Sequence, residues 1–141
     1  MPLEPLEDDE TVYRRIPRWD GFFSPPDHVT TANFKLRPQE VGLSVYKASV
    51  RTPESVVVGI GSLATSFLLR AKVRNIRGLQ NTAHEALNLD VVEVPVEDDP
   101  GHAEIRKTPS GSKITPSAAK ALRDLFVKCL ADADWNFGPG D

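Results

Sequence analysis

The chain has 141 residues, of which 40% are hydrophobic and 26% are charged. This size and composition are typical of one globular domain, and they exclude a collagenous, disordered or disulfide-rich scaffold for most of the chain. The formal net charge of −3 conceals three unequal blocks. Residues 1–10 carry five acids and no bases, 11–77 carry eleven bases and four acids, and 78–141 carry six bases and eleven acids.

The basic block at 11–77 is compatible with two interpretations. A concentration of Lys and Arg in one segment can mark a surface that binds an anionic partner. Alternatively, the acidic and basic blocks neutralise each other across one folded surface, as moderate charge blocks commonly do.

The compartment is predicted from the cysteine content and the N-terminus. Cys129 is the only cysteine, so the chain cannot form an internal disulfide. The N-terminus is acidic and prolyl and lacks the basic start and apolar run of a signal peptide. No segment has the apolar length of a membrane span. We therefore expect a cytoplasmic protein with no membrane association.

Local patterns in the first half predict mainly strands. Residues 1–10 lack periodicity and predict a disordered, acidic N-terminus. The β-branched and aromatic run Thr11–Ile16 predicts a strand. Residues 28–36 and 42–48 predict two extended segments joined as a loose hairpin. Residues 52–55 have the capping Thr and following Pro of a short helix.

The second half predicts one further strand, a hairpin and a helix. Residues 66–74 alternate between two faces, the more polar of which carries Leu68, Arg70, Lys72 and Arg74. Residues 89–96 and 102–106 predict a hairpin around the turn at 97–101. Thr115-Pro116 opens a helix with apolar residues at helical spacing.

These elements together predict an α+β fold. We expect a single domain over 11–137, with a mostly antiparallel sheet, a short helix and a long C-terminal helix packed on the sheet. Residues 138–141 are expected to form a C-terminal tail.

Motifs for metal, nucleotide or nucleophilic chemistry are not found. His28, His84, His102 and Cys129 lack the spacing of zinc ligands, so no metal site and no cofactor are predicted. Gly59-Ile60-Gly61-Ser62 lacks the third glycine of a dinucleotide loop and the lysine of a phosphate loop. There is no Gly-x-Ser-x-Gly sequence.

Clustered basic residues leave an anion site as the main candidate. If the first strand and the strand at 66–74 are neighbours, their arginines gather on one sheet face and can clamp phosphates. Alternatively, Arg70, Lys72 and Arg74 pair with Glu93 and Glu104 on the acidic hairpin. The anion-binding candidates are Arg14, Arg15, Thr30, Thr31, Arg70, Lys72, Arg74 and His102.

Four short motifs resemble a group of small bacterial proteins that have no assigned function. That group has an Arg-containing first strand, a Ser-Ser-x-x-Phe element, a Leu-Ser-Val strand and a Pro-x-His-Ala hairpin. Here Thr30-Thr31 replaces the serine pair, and His28 lies close to where an arginine often precedes that pair. The resemblance covers most of residues 11–135 and implies no activity. The motifs are Val12-Tyr13-Arg14-Arg15-Ile16, Thr30-Thr31-Ala32-Asn33-Phe34-Lys35, Leu43-Ser44-Val45 and Pro100-Gly101-His102-Ala103-Glu104-Ile105.

The first 55 residues also resemble the NAD-consuming toxin domains of the RES type. That resemblance is limited to Tyr13-Arg14, Phe23-Ser24-Pro25, Tyr46-Lys47-Ala48 and Thr52-Pro53-Glu54, and the chain departs from the pattern beyond residue 55.

Three functional hypotheses follow from the sequence. The first is a binding or accessory module that acts through protein–protein contacts. The second is a small enzyme or a binder of a nucleotide or ADP-ribose phosphate, in which Arg14, Arg15, Thr30, Thr31 and His102 share a pocket and His102 acts as acid or base. The third is a nucleic-acid-binding module, which the overall acidity disfavours.

Overall fold

A computed structural model describes residues 3–16, 21, 23–24, 28–57, 67–109 and 112–131. The first half of the chain contains strands β1 to β4, a 3-10 helix and helix α1. The second half contains strands β5 to β7 and helices α2 and α3. The elements are β1 Thr11–Ile16, β2 Phe23–Ser24, β3 His28–Val29, the 3-10 helix Thr31–Phe34, β4 Leu43–Lys47, α1 Pro53–Val57, β5 Phe67–Lys72, α2 Val73–Arg77, β6 Leu89–Glu93, β7 His102–Lys107 and α3 Pro116–Ala131.

A five-stranded antiparallel sheet in the order β5-β1-β4-β7-β6 forms the centre of the fold. β2 and β3 form a separate two-stranded ladder. The predicted α+β class, antiparallel sheet and hairpin between β6 and β7 are confirmed. The predicted C-terminal helix is present as α3, but its 16 residues make it moderate in length rather than long.

The loose hairpin predicted from residues 28–36 and 42–48 is wrong. Only His28–Val29 is a strand, and residues 31–34 form the 3-10 helix. The side-chain amide of Asn33 donates to the Thr30 carbonyl at 3.0 Å. This local hydrogen bond satisfies the carbonyl, which a β-ladder would otherwise do. β4 consequently pairs with β1 and β7, not with residues 28–36.

The sheet has two faces with different neighbours. The first face packs against α3 and the 3-10 helix, where the rings of Phe34 and Phe126 lie 5.3 Å apart. The second face carries a smaller buried cluster under α1, formed by Tyr13, Tyr46, Val56 and Leu68. Hence Leu68 is buried although it lies on the face predicted to be polar.

Residues 4–10, which we call the N-terminal strap, lie along the edge of β6. The Leu6 amide donates to the Val91 carbonyl at 2.9 Å, and the Glu93 amide donates to the Glu4 carbonyl at 2.7 Å. Leu6 is buried. The strap thereby covers hydrogen-bonding groups that an edge strand otherwise exposes. The disorder predicted for residues 1–10 does not describe this segment, because backbone pairing and one buried leucine offset its acidic composition.

Arg77, the last residue of α2, also binds the strap. Its guanidinium donates to Asp8 Oδ1 at 2.6 Å, to Asp90 Oδ1 at 2.7 Å and to the Leu6 carbonyl at 2.5 Å. The strap is thus tied to both β6 and α2. Within the described ranges, no helix has the length and apolar character needed to cross a bilayer.

Leu6→Ala should lower the free energy of unfolding by about 2 kcal/mol, the lower end of the range for a buried leucine. It should also increase amide hydrogen exchange in the strap. Urea denaturation and exchange mass spectrometry measure the two effects. Leu3→Ala is the matched control, since Leu3 is 37% exposed. Equal stability losses in both variants would contradict the packing of the strap.

Candidate functional site

The predicted pocket of five side chains is not formed, because β1 divides its two arginines. Successive residues of a strand point to opposite faces of the sheet. Arg14 lies on the first face with Val12 and Ile16, and Arg15 lies on the second face with Tyr13. The other anion-binding candidates are also divided between the two faces, as described below for each.

Arg14 connects three elements on the first face. Its Nε and Nη2 donate to the Asn33 carbonyl at 3.2 and 2.5 Å, and its Nη1 donates to the Ser44 carbonyl at 2.6 Å. The β1–β4 ladder has only the pairs Val12–Lys47 and Tyr13–Tyr46, although β4 begins at Leu43. The guanidinium therefore satisfies a carbonyl beyond the end of this ladder.

The side chain of Arg14 is mostly, but not completely, buried. Burial lowers its pKa to about 10, with the field of Glu40 acting in the opposite direction. The group therefore stays protonated at neutral pH. No carboxylate among the described side chains forms an ion pair with it. Its hydrogen-bond acceptors in the described chain are uncharged backbone carbonyls of the 3-10 helix and β4. Arg14 therefore stabilises the fold by linking these two elements to β1.

The two threonines lie near Arg14 and away from His102. The Thr30 hydroxyl donates to the Gly21 carbonyl at 2.6 Å, and the Thr30 carbonyl accepts from the Asn33 amide. Thr31 is the first residue of the 3-10 helix and is partly exposed. The Thr30 hydroxyl is thus engaged in holding a loop.

Arg15 and Tyr46 form the centre of the second face. Arg15 Nη2 donates to the Tyr46 hydroxyl at 2.6 Å, and Nη1 donates to the Val56 carbonyl at 3.3 Å. The guanidinium carbons of Arg15 and Arg51 lie 4.9 and 5.2 Å from the centre of the Tyr46 ring. Burial raises the pKa of the Tyr46 hydroxyl above its usual value of 10.0, so this group stays protonated at neutral pH.

The second arginine beside this ring is neutralised. Arg51 Nη1 forms an ion pair with Asp99 Oδ1 at 3.0 Å, and the same guanidinium donates to the Ser55 carbonyl at 2.5 Å. Arg15 has no ion pair with any carboxylate whose side chain is described. Among the carboxylates that the structure describes, Arg51 therefore has a charged partner and Arg15 has none.

β5 adds two more candidates to the second face. In the β1–β5 ladder Arg70 lies opposite Tyr13, and Lys72 lies opposite Thr11. The two strands are neighbours, which is the arrangement required for basic residues to gather on one face. Arg74 is exposed in α2, beyond the end of the strand.

The alternative pairing with the acidic hairpin is not observed. Glu93 pairs with Lys47 at 3.2 Å, and Glu104 pairs with Arg106 at 2.8 Å. β5 and β6 lie at opposite edges of the sheet, which separates Arg70 and Lys72 from Glu93.

His102 lies on the second face and contacts Ser44. Its Nδ1 lies 2.8 Å from the Val94 carbonyl oxygen, and its Nε2 lies 3.1 Å from Ser44 Oγ. The imidazole is 8% exposed, and the edge of its ring meets Tyr46 at 5.8 Å between centroids. We call these two residues the Ser44–His102 pair.

The four motifs that carry the bacterial resemblance meet in one chain of contacts. Arg14 of the first motif binds Asn33 of the second and Ser44 of the third, and Ser44 contacts His102 of the fourth. These contacts bring four segments that are far apart in the sequence next to one another. The sequence patterns did not mark Ser44, Tyr46 or Arg51 as site candidates, although Ser44 and Tyr46 lie within motifs that carry the two resemblances.

Some predicted features lie outside what the structure describes. They are Gly59-Ile60-Gly61-Ser62, the side chains of His28 and Cys129, the domain end predicted at 137 and the tail predicted at 138–141. Among the described residues, no group of three or more His, Cys, Asp or Glu is placed to hold a metal ion.

Comparisons with protein-family models, curated proteins and solved structures find no match to this chain.

Proposed function

We propose that this chain is a cytoplasmic bacterial binding module that holds an anionic segment of a partner protein at Arg15. The observation that carries the proposal is the set of Arg15 partners. Its described hydrogen bonds go to a tyrosine hydroxyl and a backbone carbonyl, both uncharged. A carboxylate or phosphate is the acceptor that a guanidinium binds most strongly.

The surroundings of Arg15 support an anionic ligand. Arg70 and Lys72 are on the same sheet face, and both are partly exposed. The Tyr46 ring orients the guanidinium from one side. A partly buried cation interacts more strongly with a ligand than a fully solvated one, because water screens it less.

Binding of a partner protein is favoured over binding of a nucleotide in a pocket. The pocket hypothesis needs Arg14 and Thr30 beside His102, and these groups lie on opposite sides of the sheet. Nucleic acid is also disfavoured, because the net charge is −3 and the strap adds acids at the edge of the sheet.

The proposal predicts binding of an acidic peptide at Arg15. A peptide of consecutive glutamates should shift the backbone amide resonances of Tyr13, Arg15 and Tyr46 in a nitrogen-15 NMR titration. Arg15→Gln should weaken this binding about 10- to 150-fold, since a charge-assisted hydrogen bond contributes about 1.5–3 kcal/mol. A phosphopeptide and inorganic phosphate serve as further probes and separate protein-borne carboxylate from phosphate recognition.

Arg37→Gln is the matched control, because Arg37 is exposed and lies outside the sheet. Arg15→Lys should retain part of the affinity, since it keeps the charge and loses the planar fork. Shifts that are unchanged in Arg15→Gln would contradict the proposal. Salt-sensitive binding of an RNA oligonucleotide without binding of the peptides would replace it with the nucleic-acid hypothesis.

A further inference from the structure

The geometry points to a second activity: we propose that Ser44 is a nucleophile whose hydroxyl is deprotonated by His102. The proposal does not depend on an anionic ligand at Arg15. It rests on the contacts that the two nitrogens of one imidazole ring make.

The partners of His102 determine which nitrogen carries the proton. The Val94 carbonyl can only accept a hydrogen bond, so Nδ1, at 2.8 Å, must be the donor. In the neutral ring Nε2 then has a free lone pair. Ser44 Oγ, at 3.1 Å from Nε2, donates its proton to that lone pair. This is the relationship between hydroxyl, base and orienting group that activated serines require.

Both members of the pair are held in place. Arg14 Nη1 donates to the Ser44 carbonyl at 2.6 Å, which anchors the β4 backbone at this residue. The Tyr46 ring and the Val94 carbonyl fix the plane of the imidazole. Little rotamer freedom is therefore lost when the reacting atoms align.

Ser44 is more exposed to solvent than His102, as a nucleophile and its base require. His102 is 8% exposed, whereas Ser44 is partly exposed on the second face. A substrate can approach the hydroxyl while the base stays shielded from bulk water. Glu104 lies opposite Ser44 in the β4–β7 ladder, and its carboxylate is held by Arg106 close to Gly42.

The reaction we propose is acyl transfer from a carboxylic ester. Ser44 Oγ attacks the carbonyl carbon, and its proton moves to His102 Nε2. The bond from carbon to the leaving oxygen breaks, and the imidazolium returns the proton to that oxygen, which releases an alcohol. Water, deprotonated by His102, then attacks the acyl carbon, the bond from that carbon to Ser44 Oγ breaks, and the imidazolium gives its proton to Ser44 Oγ. The products are one acid and one alcohol, with no oxidant or cofactor required.

The test is covalent labelling with an alkyl fluorophosphonate. Ser44 Oγ attacks phosphorus, fluoride leaves, and the serine proton is carried away through His102. Peptide mass spectrometry should locate one phosphonyl group on Ser44, and Ser44→Ala should remove it. His102→Gln should slow the labelling about 100-fold, the scale of general-base assistance. Ser117→Ala, at an exposed serine of α3, should leave the rate unchanged.

Three measurements distinguish a catalytic role of His102 from a structural one. Circular dichroism shows whether His102→Gln is folded, and added imidazole should restore labelling in a folded His102→Gly variant. Long-range nitrogen-15 NMR of the unmodified chain should show the Nδ1–H tautomer of His102. Absence of label on Ser44, a rate unchanged in folded His102→Gln, or the Nε2–H tautomer would each overturn the proposal.

Discussion

Arg14→Leu should lower the free energy of unfolding by about 3 kcal/mol. The substitution leaves the Asn33 and Ser44 carbonyls without their guanidinium donor, and an unsatisfied buried acceptor costs about 1–3 kcal/mol. The apolar leucine offsets part of this loss, because the mostly buried guanidinium is itself poorly solvated. Urea denaturation followed by circular dichroism measures the difference.

Two further variants control this result. Arg14→Lys should recover less than half of the loss, since one ammonium cannot reach both carbonyls with the geometry of a planar fork. Arg37→Leu, at an exposed position, should change stability by no more than about 0.5 kcal/mol. A fully stable Arg14→Leu would mean that desolvation of the buried charge outweighs its hydrogen bonds. Because Arg14 anchors Ser44, the variant should also slow fluorophosphonate labelling.

Phe126→Ala should produce the largest loss of stability, about 3–5 kcal/mol. Phe126 is fully buried, and its ring lies 5.3 Å from that of Phe34. Removing it leaves a cavity where α3, the 3-10 helix and the sheet meet. Because the 3-10 helix supplies the Asn33 carbonyl to Arg14, the loss should extend to the site.

The measurement is again urea denaturation, with Lys120→Ala as the control on the exposed face of the same helix. That substitution tests helix propensity without removing core volume. A double-mutant cycle with Phe34→Ala should give a coupling of about 0.5–1.5 kcal/mol for the ring pair. A loss below about 1 kcal/mol in Phe126→Ala would contradict the packing of α3 on this face.

Most secondary-structure elements could be predicted because their signals are local. β1 and β5 follow from β-branched or alternating residues, and α3 follows from a cap and an apolar stripe. The 3-10 helix was not predicted, because it depends on a hydrogen bond from the side-chain amide of Asn33 to the Thr30 carbonyl. The β-branched residues around it favour a strand instead. The strap was missed because its acidic composition conceals the burial of Leu6.

Individual site residues could be proposed from the sequence, but their grouping could not. Arg14 and Arg15 were both candidates, yet strand alternation places them on opposite faces. The partner of His102 proved to be Ser44 rather than a threonine, because β4 and β7 are neighbours. Contacts of this kind join residues 58 positions apart in the chain.

Composition and local periodicity were therefore enough to establish an antiparallel α+β domain with a basic first strand. Strand order, the split between the two arginines, the ordered strap and the Ser44–His102 pair arise from long-range backbone pairing and side-chain packing. Those interactions depend on the relative positions of distant segments, and no short stretch of sequence encodes such positions.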